Sequence, residues 1–153
     1  MKKVLILGIG NILHRDDGIG VYIANRIRET AKDLPEHVEV ADGGTAGFDL
    51  IPLMQGRDKI VIIDALKADD APGSIYRFSP EHIRGGQTVM SLHETGISEV
   101  LRMLWLLGES PMVEMVGIVP EDVTTLDISI SSAVLESVPR AIDVVLDAAL
   151  HYA

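Results

Sequence analysis

The sequence contains no cysteine. That excludes disulfides, thiolate nucleophiles and thiolate metal ligands at once, so a metal site here has to use carboxylate and imidazole. A chain without disulfides accords with a reducing compartment, and a cytoplasmic protein is expected. Positive charge is scarce too: 13 Lys and Arg stand against 23 Asp and Glu, for a formal net charge of -10. So acidic a chain lacks the basic surface that nucleic acid requires, and it is poorly suited to anionic lipid. A cation or a basic peptide is the better partner. No apolar run is long enough to span a bilayer. The N-terminal VLILGIGNIL, after Met1-Lys2-Lys3, superficially resembles a signal peptide, but no small-residue cleavage site follows and the polar HRDD begins at His14. It reads as a buried first strand.

What the chain does have is enough apolar residue for a core. Its 153 residues are 47% hydrophobic, which fits a single domain over residues 1–153. Segments 3–8, 59–64 and 112–119 are near-continuous and apolar, as central parallel strands covered on both faces should be. Segment 37–41 is a shorter, alternating strand. Helical patterns lie between them at 20–31, 46–54, 92–107 and 131–151. In the first of these Val21, Ile23, Ala24 and Ile27 are apolar while Arg26, Arg28 and Glu29 face away. Segment 74–79, after the turn Asp70-Ala71-Pro72-Gly73, reads as an antiparallel strand near a sheet edge. The expected fold is α/β: one three-layer α/β/α domain with a mostly parallel five-stranded sheet and one antiparallel strand.

Ligands of an open parallel sheet bind outside the carboxyl ends of its strands. The polar residues at those ends are Asn11, His14, Asp16 and Asp17 after the first strand, Asp42 after the second, Asp64 at the end of the third, and Glu121 and Asp122 after the last buried one. Asp16 and Asp17 precede a helix, and one aspartate would suffice as its cap, so the other is available to the cleft. Asp64, in VIIDA, follows the four apolar residues Ile60, Val61, Ile62 and Ile63, and an ionised carboxylate there needs a cation or donors. His93 lies in SLHE, where Ser91 and Glu94 have the spacing of a capping box. That would put His93 in the first turn, where the helix dipole favours the neutral, metal-binding imidazole. Two carboxylates and an imidazole suit Ni, Zn, Fe or Mn. Gly8-Ile9-Gly10 suggests a dinucleotide fingerprint, but Leu13 occupies the third glycine's place. Gly43, Gly44 and Thr45 after Asp42 offer amides to an anion or a peptide backbone, or form a tight turn.

In order along the chain, VLILGIGNILHRDDGIG, DGGTAGFDL, VIIDA, APGSIYRF, SLHETG and VGIVP resemble the [NiFe]-hydrogenase maturation proteases, and the resemblance covers nearly the whole chain. It implies an endopeptidase that removes the C-terminal extension of the hydrogenase large-subunit precursor after nickel insertion. By motif position it implies that Asp17, Asp64 and His93 bind the metal and carry the catalytic edge, with Asp16 beside Asp17 as the alternative first ligand. Asp42, with Gly43, Gly44 and Thr45, is then the substrate-recognition segment. Nickel would arrive held by the precursor's cysteines, and the attacking water would be polarised by the metal or activated by a carboxylate. Rival readings are another metal-dependent hydrolase, a nickel-delivery module, and a nucleotide- or flavin-binding module.

Overall fold

Strand β1 (Val4–Ile9) is buried along its whole length, because it feeds two cores at once. Val4 and Ile6 point into one, Leu5, Leu7 and Ile9 into the other. The computed structural model describes residues 2–80, 90–91 and 94–151. In it the same division runs through β3 (Lys59–Lys67), where Val61, Ile63 and Ala65 join the first core and Ile60 and Ile62 the second. Helices α1 (Ile19–Thr30) and α4 (Ser132–Leu150) close the first core; α2 (Ile51–Met54) and α3 (Glu94–Leu106) close the second. Val21, Ile23, Ala24 and Ile27 are the buried face of α1, as their spacing predicts. Each fully buried aliphatic side chain in these layers stabilises the fold by roughly 1.5–3 kcal/mol relative to exposure.

The main path of the sheet is β2-β1-β3-β6-β4. Strand β2 (Val38–Gly44) is parallel to β1, β1 to β3, and β3 to β6 (Met112–Ile118). Strand β4 (Ile75–Phe78) pairs antiparallel with β6 at the outer edge. The short β5 (Met90–Ser91) pairs antiparallel with Leu66 and Lys67 of β3. The main path is the expected mostly parallel five-stranded sheet of an α/β fold, to which the two-residue β5 adds a sixth strand and a second antiparallel pairing, and there are three further departures. Strand β3 continues to Lys67, past Asp64, because β5 and β6 supply partners there. The helix expected over 46–54 is a 3-10 turn (Gly47–Leu50) followed by the short α2, with Pro52 in its first turn where no N–H is needed. Ser91, expected as a helix N-cap, is backbone-paired with Leu66 in β5.

At the end of the sheet remote from the strand carboxyl termini, a charged cluster crosses the layers. Lys59 is 1% exposed, and its Nζ donates to Glu114 at 2.9 Å and to the carbonyl of Ala148 at 2.7 Å. Arg77 of β4 bonds Glu114 as well, and reaches Asp147 of α4 at 2.7 Å. Burial works against an ionised Glu114, but the hydrogen bonds from Arg77 and Lys59 outweigh it and hold its carboxyl below the usual range. Among the described residues no helix is long and apolar enough to cross a membrane.

Candidate active site at the carboxyl edge of the sheet

The edge is built by close backbone contact. Gly10, just past β1, has φ +136°, and a Cβ there would lie 2.1 Å from the carbonyl oxygen of Asp17. Only glycine lets the chain turn against that carbonyl. Eight residues of turn then lead to α1, whose Gly20 is pressed onto the sheet: a Cβ at Gly20 would stand 2.1 Å from the carbonyl oxygen of Ile63 and 2.5 Å from that of Ile9. Asp17 precedes Gly20 in the same turn of chain, and Asp64 follows Ile63. The 3-10 turn Arg15–Gly18, which contains Asp17, thereby packs on β3, which contains Asp64. The glycines that suggest a dinucleotide fingerprint are used up in this helix-on-sheet contact.

Asp16 and Asp17 have separated roles. Neither caps α1, whose N-cap is Gly18 with no side-chain bond. Asp16 is 0% exposed. It accepts the N–H groups of Glu121 at 2.9 Å, Asp122 at 3.1 Å and Ser131 at 2.9 Å, and the Ser131 hydroxyl at 2.5 Å. These bonds fasten the turn to the loop after β6 and to the start of α4. Asp17 is half-buried, and its Oδ2 accepts the N–H of Asn11 at 3.0 Å. Arg15, which opens the turn, has φ +49°, a left-handed conformation held by its N–H to Asp127 O at 2.8 Å and its Nε to Ser129 O at 3.3 Å.

Asp64 does not mark the point where a strand meets water. It is 1% exposed and pairs in register with Gly117 of β6, with its Oδ1 on the N–H of Ala65 at 2.8 Å. The register with β1 stops at Gly8 and Ile63, so Asp64 is the first β3 residue beyond its β1 neighbour. Asp42 lies within β2, which runs on to Gly44, and its side chain is exposed. It accepts the Gly44 N–H at 3.0 Å and Asn25 Nδ2 of α1 at 3.4 Å. Gly43 is buried, and a Cβ there would meet Leu7 Cδ1 at 2.9 Å and Leu50 Cδ2 at 3.0 Å. Gly44 donates to Asp42 and its carbonyl receives the Gly10 N–H, while Thr45 is exposed.

His93 lies outside the described residues, as do Leu92 and His82. Among the described residues no three acidic or imidazole side chains gather as a metal cluster, and the expected trio includes His93. His14 is half-buried and its backbone bridges to Asp127. Asp122 is absorbed by its own turn: the Thr125 hydroxyl at 2.5 Å, then the Thr125 and Thr124 N–H groups at 3.0 Å, hold its carboxyl far below the usual range. Asp127 is depressed likewise by the N–H and hydroxyl of Ser129.

Sequence patterning missed a cleft of about 300 Å³ between α1 and the 126–130 loop, with Ile12, Tyr22, Asn25, Asp42, Ile128 and Ile130 in its lining. Its outer wall is an irregular loop, which has no periodicity to read.

The molecule has well-matched relatives. Residues 21–148 match the family model for hydrogenase maturation proteases. The chain is 39% identical over 122 residues to the Hydrogenase 2 maturation protease of Escherichia coli K12, covering 78% of this chain and 74% of that one. It is 33% identical over 144 residues to the hydrogenase expression/formation protein HupD of Rhodobacter capsulatus, covering 92% and 68%. Among solved structures, the hydrogenase maturating endopeptidase HybD of E. coli superposes with a TM-score of 0.83 at 34% identity, over 95% of this chain and 91% of that one. The [NiFe] hydrogenase maturation protease HybD of Thermococcus kodakarensis gives the same TM-score of 0.83 at 31% identity, over 96% and 99%. A match through most of the sequence, joined to a shared fold at these identities, makes this chain a peptidase of the hydrogenase maturation protease family.

Proposed function

We propose that the enzyme removes the C-terminal extension of a [NiFe]-hydrogenase large-subunit precursor in the cytoplasm, and that it reads the nickel already held by that precursor. Asp17, Asp64 and His93 meet the metal, and Asp42 with Gly43, Gly44 and Thr45 contacts the peptide. The observation that supports this reading is the packing of Gly20 on the Ile63 carbonyl, which sets the turn containing Asp17 against the strand that carries Asp64. A carboxylate as buried as Asp64, 1% exposed, gains strongly from a cation. Oxygen and nitrogen donors suit nickel that already has sulfur from its carrier, and the chain offers no thiolate to compete for it.

On this reading nickel is cargo that fixes the scissile bond near the edge. One carboxylate then accepts a proton from the attacking water. The test is cleavage of nickel-loaded precursor by Asp17→Asn and Asp64→Asn, read by mass. Each is expected to cut at least about 100-fold more slowly. Full activity in either variant removes that residue from the site.

A further inference from the structure

We infer that the cleft between α1 and the 126–130 loop is the docking groove for an extended segment of the precursor, which seats an aliphatic side chain among Ile12, Tyr22, Ile128 and Ile130 and a cationic one against Asp42. The inference rests on the endopeptidase reading and specifies where its substrate lies. The groove is continuous with the edge, since Ile12, Arg15 and Gly18 of the turn that holds Asp17 form one of its walls.

Two observations set the chemistry of the occupant. Ile12 and Ile128 are 51% and 74% exposed, yet both belong to segments with fixed backbones. The loop is held by the Asp16 bonds, by the turns closed on Asp122 and Asp127, and by Arg15 on the carbonyls of Asp127 and Ser129. Exposed aliphatic groups on an anchored loop are pre-organised for an apolar ligand group, which saves ordering entropy on binding. The second observation is charge. Asp42 is exposed, and both of its hydrogen bonds come from neutral donors, Asn25 and the Gly44 amide. Among the described residues it forms no ion pair. Arg15 is engaged by Asp122 and Ser129, and Arg26 and Glu29, which also line the cleft, oppose each other in sign. A cationic side chain on the ligand is the complement that remains, in keeping with a chain of net charge -10.

The test uses the full-length protein, 15N-labelled, and a synthetic peptide spanning the precursor's cut site. Amide shifts are expected at Tyr22, Asn25, Ile128 and Ile130, and Ile128→Asp is expected to weaken binding about tenfold, since it places an unpaired charge in an apolar contact. Leu107→Asp, an exposed apolar residue at the C-terminal end of α3, should bind as tightly as wild type. No shift at the groove residues, or Ile128→Asp binding as well as wild type, overturns the groove. Cleavage of nickel-loaded precursor is followed in parallel. Groove shifts without any cut retain the groove and remove the endopeptidase reading; a cut without groove shifts does the reverse.

Discussion

The carboxylate of Asp16 receives Ser131 twice, at 2.9 Å from its backbone N–H and at 2.5 Å from its hydroxyl. The residue next to a proposed metal ligand is thereby tied to the first residue before the last helix, 115 positions along the chain. Ser131 does not cap its own helix with a side-chain bond; its hydroxyl is given to Asp16 instead. Asp16→Ala would strand the Ser131 group and the N–H groups of Glu121 and Asp122. Unsatisfied buried donors cost about 1–3 kcal/mol each, so a loss of about 3 kcal/mol or more is expected. Urea unfolding measures it, and a change below about 0.5 kcal/mol, the range of a neutral surface substitution, would show that the clamp contributes nothing.

Gly20→Ala tests how the two carboxylates are brought together. Its Cβ would lie 2.1 Å from the Ile63 carbonyl oxygen, a backbone atom that cannot rotate away. The helix must lift, carrying Asp17 from Asp64. Overpacking of this kind costs about 1–3 kcal/mol, and precursor cleavage should fall further than that loss of folded protein explains. An active, equally stable Gly20→Ala enzyme would contradict the geometry.

The charged cluster at the foot of the sheet predicts an asymmetry. Glu114→Ala takes away the carboxylate that Lys59, 1% exposed, bonds at 2.9 Å, and breaking a buried pair this way costs about 3–5 kcal/mol. Lys59→Met fills the same space with an apolar chain and leaves Glu114 paired to Arg77, so it should cost clearly less. Thermal denaturation of both variants decides the order, and equal losses would refute it.

Acid should loosen the 121–131 loop. Asp122 and Asp127 have folded-state pKa values below their ordinary 3.8, through Thr125 and Thr124 in one case and Ser129 in the other. A depressed carboxyl contributes stability that is fully present above its unfolded pKa and lost as pH falls through the folded one. Glu114, lowered from 4.5, adds to the same trend. Melting temperature should hold above about pH 5 and decline steadily below pH 4. Asp122→Asn should flatten that decline, and an unchanged slope would remove Asp122 from it.

Much of this was legible in the residues. Continuous apolar runs show buried parallel strands, and the α1 pattern names its buried face correctly because burial follows helical period. The pair Asp16-Asp17 does divide its labour, but not as cap and cleft residue: neither caps α1, and the role of Asp16 depends on Ser131 and the Glu121 and Asp122 amides, distant in sequence. Hydropathy makes Asp64 a strand end, because the apolar run stops there; the backbone pairing that carries β3 to Lys67 leaves no mark in hydropathy. The S-x-x-E spacing at Ser91 suggested a cap, whereas strand pairing with Leu66 claimed that residue. The groove beside Asp42 was invisible, since its wall is a loop whose isoleucines follow no period.

The most direct measurement is the mass of the large-subunit precursor after incubation with this enzyme, once loaded with nickel and once free of it. The account predicts loss of the C-terminal extension from the nickel-loaded form alone. Equal cleavage of both forms, or of neither, would contradict it.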